Sequence, residues 1–153
     1  GPTYASVEEL ADAAEYVVTG RFTELVDTVD EADLYDGDDG VFVDDDRGMP
    51  LDLWAFEVEQ TLQGQDDLAG QQITITQLHP DIDGTFSTAG VGNAAVLFLN
   101  PYASGEAFAV VGLGVGSLDV IDGELSAPEG ADPALIEDVD QLDDLTELEQ
   151  RLS

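Results

Sequence analysis

The segment Ala94-Ala95-Val96-Leu97-Phe98-Leu99 is apolar at every position. A strand presents successive side chains to opposite faces, so this one needs cover on both sides and is expected to be the most buried strand of the chain. Asn100-Pro101-Tyr102 is expected to end it. Other strand signals surround it. Trp54, Phe56 and Val58 alternate with Glu57 and Glu59, with Leu62 continuing the apolar face, which reads as an amphipathic strand. Gln72 to Leu78 has high β-propensity. Tyr16 to Val26 reads as a strand with Gly20 inside it, and a glycine there marks the bulge or bend by which a strand curls around a small barrel. Ala107 to Val111 and Ser117 to Ile121 add two more, and Asp122-Gly123 is the favoured two-residue hairpin turn, with Glu124-Leu125 returning.

Helical signals sit at the two ends. Ser6-Val7-Glu8-Glu9 is a capping box, in which the Ser6 hydroxyl accepts from the Glu9 N–H and the Glu9 carboxylate accepts from the Ser6 N–H. A helix over 5–14 follows, with Leu10, Ala13 and Ala14 as its apolar stripe. At the other end Leu135, Ile136, Val139, Leu142, Leu145, Leu148 and Leu152 recur at three- and four-residue steps behind Pro133, which suits a first helical turn. That stripe is expected to cover an open end or edge of the barrel. No strand–helix alternation is present to build a parallel sheet. The expected fold is mainly β: a single domain over 1–153 with a helix at 5–14, a small antiparallel barrel of the oligonucleotide/oligosaccharide-binding (OB) type at 15–126, an acidic loop at 30–50 and a helical C-terminus at 133–152.

Ala13 to Phe22, Trp54 to Gly64, Ile73 to Gln77 and Ala95 to Leu99 together make a recurrent pattern of hydrophobic strand signatures. In this it resembles uncharacterised secreted proteins and lipoproteins of actinobacteria and other prokaryotes, whose domain is similar to the netrin-like, metalloproteinase-inhibitor-like OB barrel. The resemblance implies a fold and an extracellular setting. It implies no inhibitory mechanism, because those inhibitors engage the target metal through an N-terminal cysteine and this chain has no cysteine.

Cysteine absence also excludes disulfides, thiolate zinc sites and thiol nucleophiles. Charge is the other strong constraint. Thirty-five acidic residues stand against three arginines, a formal charge of -32. Such a surface repels itself in dilute buffer and is relieved by salt, as the Debye length falls from roughly 30 Å at 0.01 M to roughly 3 Å at 1 M. The acids are spread over loops, strand edges and helices, which favours adaptation to a saline medium over a single anionic site. Direct nucleic-acid binding is disfavoured by the same repulsion.

One stretch is denser. Asp36, Asp38, Asp39, Asp44, Asp45 and Asp46, with Asp33 ahead of them, supply hard oxygen ligands of the kind that calcium takes, although without EF-hand spacing. The expected cofactor is none, with weak binding of Ca²⁺ or another cation there as the exception. A short strand at Val41-Phe42-Val43 is expected within the same loop. Other constellations carry less. His79, Asp81 and Asp83 with Ser87 or Thr88 lie in one short loop, which rarely supplies a catalytic triad. Gly112, Gly114 and Gly116 lack the Lys-Ser/Thr of a phosphate loop and precede a strand, so a sharply turning connection is expected. Trp54, Phe56, Tyr4, Tyr16 and Tyr102 could line a ligand surface, but Trp54 and Phe56 share the Val58 face and read as core.

The expectation is a non-enzymatic secreted or cell-surface binding or structural module in a high-salt setting, with an unknown protein or small ligand as partner. The alternatives are a calcium-binding protein using residues 33–46 and an acidic mimic that occupies a basic partner surface. No apolar run approaches the roughly 20 residues that span a bilayer. Gly1-Pro2 looks like the scar of a tag-removing protease, and a leader or lipid anchor ahead of Thr3 is compatible with it.

Overall fold

The computed structural model describes residues 3–34, 48–78, 89–102, 105, 107–112 and 114–152. In chain order these form α1 (Val7–Ala13), β1 (Tyr16–Asp30), α2 (Glu31–Leu34), β2 (Pro50–Gln63), β3 (Gln72–Leu78), β4 (Ala94–Tyr102), β5 (Ala107–Val110), β6 (Ser117–Ile121), β7 (Glu124–Ser126), α3 (Pro133–Asp140) and α4 (Leu145–Leu152). The strands make one sheet in the order β1-β2-β3-β5-β4-β6-β7, and an added β1–β4 pairing closes the first five into a ring. That is the OB-type barrel expected from the strand pattern. Its pairings are antiparallel except β3–β5, which is parallel over Ile75 and Phe108, Thr76 and Ala109. One such pair is unavoidable: an odd number of strands cannot alternate direction all the way round a closed ring.

β1 makes the closure possible because its first half has two partners. Tyr16 to Arg21 pair with Leu99 to Ala94 of β4 on one side while Val17 to Asp30 run against β2 on the other. Gly20 lies at a register shift in this doubly paired stretch, and a Cβ there would overlap the Glu57 carbonyl oxygen. The bend expected at Gly20 is therefore a close approach of two backbones.

Two apolar clusters form on the two sides of the barrel wall. Inside are Val18, Phe22, Phe56, Val58, Ile75, Leu97 and Leu99, with Phe22 edge-on to Phe56 at 5.0 Å and to Trp54 at 5.8 Å. Outside, Val17, Val96, Phe98 and Leu118 meet Val7 and Leu10 of α1, Leu135 and Val139 of α3 and Leu148 of α4. β4 thus alternates, Ala95, Leu97 and Leu99 inward and Val96 and Phe98 outward, all buried. The C-terminal leucine stripe lies on this outer face, where it covers the second apolar side of β4 and packs against β7, the last strand of the sheet. Leu62 also joins the outer cluster instead of continuing the Trp54 face. The register shift at Thr19/Gly20 breaks the alternation of β2 before Leu62, and the shift at Val17/Val18 leaves Leu62 itself between the paired Thr61 and Gln63.

Local chemistry sets the ends of these elements. The Glu9 N–H donates to the Ser6 hydroxyl at 3.2 Å, and the Glu9 carboxylate accepts from the Ala5 N–H at 3.0 Å, one residue earlier than a capping box prescribes. Asp132 caps α3 by accepting from Ala134 at 2.8 Å, with Pro133 in the first turn. Asp144 and Glu147 exchange bonds with the backbone at 3.1 and 2.8 Å to start α4. Asp122 and Gly123, at φ of 52° and 83°, make the β6–β7 hairpin turn that their sequence predicts. Arg151 of α4 then ties three helices together. Its guanidinium donates to Glu8 of α1 at 2.6 Å and to both carboxylate oxygens of Asp138 on α3 at 3.0 Å, while Asp138 also accepts from the Val7 N–H at 2.9 Å.

Candidate functional site

The acidic stretch between β1 and β2 is rooted at one end of the barrel. The Glu31 N–H donates to the Met49 carbonyl at 3.0 Å, the Met49 N–H returns to Glu31 Oε1 at 2.7 Å, and the Tyr102 hydroxyl donates to Glu31 Oε2 at 2.8 Å. Both oxygens of one carboxylate are thus used, one to close the stem of the loop and one to fasten it to the end of β4. Asp33 accepts from the Asp30 N–H at 3.1 Å, which turns the chain out of β1.

Beside this stem is a cavity of about 140 Å³. Leu51, Leu78 and Val110 give it apolar walls, and Glu31, Tyr102 and Thr76 give it polar groups. The Thr76 hydroxyl donates to the Phe108 carbonyl at 3.3 Å across the parallel β3–β5 seam. A volume near that of an apolar cavity of about 150 Å³, which takes up benzene, suits a single aliphatic or aromatic group. The geometry offers an apolar socket with a polar rim, the usual build of a small binding site.

A second feature of this end escaped sequence reasoning. Asp52 is only 7% exposed, stands opposite Thr28 on one side and Gln77 on the other, and accepts from the Thr28 hydroxyl at 2.8 Å. Its signal was present: Asp52 has the same parity as Trp54, Phe56 and Val58, so the alternation that pointed those side chains inward pointed a carboxylate inward too.

Asp36, Asp38, Asp39, Asp44, Asp45 and Asp46 lie outside the described residues, as do Val41 to Val43, His79, Asp81, Asp83, Ser87 and Thr88. Among the described residues no three acidic or histidine side chains converge as metal ligands. Gly112 and Gly114 have φ of 70° and 102°, and nearby N–H groups turn onto the chain's own carbonyls, Gly116 to Val111 at 2.9 Å and Ser117 to Gly114 at 3.1 Å. This is the sharp connection from β5 to β6 expected of the glycine series. Of the aromatics, Phe56 is inside the barrel, Trp54 is half-buried against Phe22, and Tyr4 packs on the outer cluster. Tyr16 stacks edge-on against Phe108 at 5.7 Å and donates to Asp66 at 3.0 Å, a carboxylate that raises the phenol above its ordinary range. Tyr102 alone of the five lines the cavity.

No protein-family model matches the chain, and no curated protein matches it either. Among the described residues no helix is long and apolar enough to cross a membrane.

Proposed function

We propose that this is a non-enzymatic, secreted or cell-surface binding module, with an acidic surface suited to high salt, that takes its ligand at the loop-bearing end of the barrel. The observation that carries the reading is the cavity beneath Glu31 and Tyr102, at the root of the acidic loop. Its polar groups support binding over catalysis. Glu31 is committed to the Met49 amide and the Tyr102 hydroxyl, and Thr76 to a backbone carbonyl, so these groups fix shape rather than pass protons. The charge of -32 with only three arginines supports the saline setting.

Two measurements on one sample test this. A library of small apolar fragments, followed by NMR of the methyl groups, should shift Leu51, Leu78 and Val110 together. Fragments that bind but shift none of the three would remove the cavity from the proposal. Thermal melts in NaCl and CaCl₂ at matched ionic strength should rise together, as screening requires. A larger rise in CaCl₂ would replace the saline reading with specific cation binding by the acidic loop.

A further inference from the structure

The doubly paired part of β1 ends at Phe22, whose N–H donates to the Asn93 carbonyl at 2.9 Å and whose carbonyl accepts from the Gly92 N–H at 2.8 Å. From Thr23 to Val29 the strand keeps β2 on one side, and among the described residues nothing pairs with the other. Glu24 to Thr28 are exposed, Leu25 at 47% and Val26 at 56%, and Val91 beside this edge is 74% exposed. Natural edge strands are blunted by lysines, prolines, bulges or a covering element. This edge has register shifts at Phe22/Glu24 and Leu25/Asp27, yet Leu25 and Val26 stand at its centre and it carries no lysine or proline.

We propose that the free edge of β1 from Thr23 to Val29 accepts an extended, cationic segment of another protein as an added strand. The backbone groups that β2 leaves unused, apart from the Thr28 N–H, which donates to Asp27 Oδ1 at 2.8 Å, give such a segment a short ladder stepped at the two register shifts. Leu25 and Val26 offer apolar contact for alternate side chains, and the exposed Glu24 and Asp27 select the sign of the rest. A second copy of this chain is the wrong partner, because antiparallel pairing centred on Leu25 and Val26 would set Glu24 of each copy opposite Asp27 of the other, and like charges directly opposite destabilise a sheet. Lysine or arginine at those positions reverses the effect. At about 1 M salt only pairs in contact still attract, since the Debye length is roughly 3 Å, so the backbone ladder supplies the affinity and the charges choose the partner. The edge reaches the cavity only at Val29, which lies opposite Leu51, and neither proposal depends on the other.

The test uses the whole chain and a fluorescent, amidated Lys-Val repeat of about eight residues, a version methylated on alternate backbone nitrogens, and a Glu-Val repeat. Anisotropy should show the Lys-Val peptide binding at least about tenfold more tightly than the methylated one, in both about 0.15 M and about 1 M NaCl, with the Glu-Val peptide weaker still. Amides from Thr23 to Val29 should gain protection from hydrogen exchange. Val26→Pro should lose about tenfold in affinity. Because proline could disturb the barrel, the charge-reversing pair Glu24→Lys with Asp27→Lys, which keeps every amide, should lose the Lys-Val peptide and gain the Glu-Val one. Equal binding of the methylated and parent peptides would reduce the effect to ion capture by an acidic surface and overturn the proposal. Protection confined to other strands, or a concentration-dependent dimer abolished by Val26→Pro, would overturn it as well. The two tests stay distinguishable through the Leu78 and Val110 methyl groups, since of the three only Leu51 stands opposite the edge, at Val29.

Discussion

The two sides of the barrel wall are held by different means. Inside, Phe22, Phe56, Ile75, Leu97 and Leu99 are packed by strands alone, and their cross-strand register is fixed by the ring. Outside, three short helices must be brought to the wall by residues far apart in sequence, and apolar contact is supplemented by the Arg151, Glu8 and Asp138 clasp. Short helices of seven or eight residues are marginal by themselves, so their order depends on what they dock against. The contrast predicts that the apolar packing around Phe22 and Phe56 is less sensitive to salt than the outer layer.

The largest effect is expected from Phe56→Ala, which opens a cavity in the interior and should cost about 3–5 kcal/mol in denaturant unfolding at any salt concentration. A marked salt dependence of that loss would break the contrast. Leu148→Ala removes the one fully buried residue of α4 and should cost about 2–5 kcal/mol. Hydrogen exchange should then show amides of α1 and α4 opening before those of β4. Equal opening in all three would make the two clusters one cooperative unit. Arg151→Gln should cost about 1 kcal/mol, because Glu8 is half-exposed and its pairing is screened, with the loss shrinking between about 0.1 and 1 M NaCl.

The smallest effect is the pH dependence of that last difference. The hydrogen bond from Arg151 lowers the Glu8 carboxyl below its ordinary value of 4.5, against a smaller opposing effect of burial. A lowered folded value means that the stabilisation is complete above the unfolded value and is lost as pH falls through the folded one. The stability gap between wild type and Arg151→Gln should therefore hold constant from neutral pH down to about pH 5 and close below it. Taking the difference removes the general relief of self-repulsion that both proteins gain as their carboxylates are protonated. A gap that stayed unchanged in acid would assign the role of Arg151 to packing by its aliphatic stem.

Local rules made much of this legible from the amino acids. Alternation located β2 and the two-sided burial of β4, Gly20 announced the bend, and Asp122-Gly123 announced the hairpin. Pairing information is long-range and is not written locally. Pro101 signals a strand end, yet β4 continues through it to Tyr102, because beyond Leu99 the strand has β5 on one side only and a missing N–H can face the open side. The four-residue helix α2 falls where acids and glycines read as loop, and its Glu31 earns its place from Met49 and Tyr102. An aspartate in a strand of an acidic chain, as at Asp52, reads as a solvated face until its neighbours in register are known. The Arg151 clasp joins residues separated by 143 positions, which no local pattern could connect.

The shared half of β1 also governs how the chain reaches this state. Its partners Ala94 to Leu99 come some eighty residues later in the chain, so a large loop must be closed before the ring exists. Ring closure comes later still, since β5 has to fit between β3 and β4. Such high contact order slows folding and prolongs the interval in which β1 is unpaired. During that interval mutual repulsion among thirty-five acids keeps neighbouring chains apart, so a charge that works against the compact state protects the chain on the way to it.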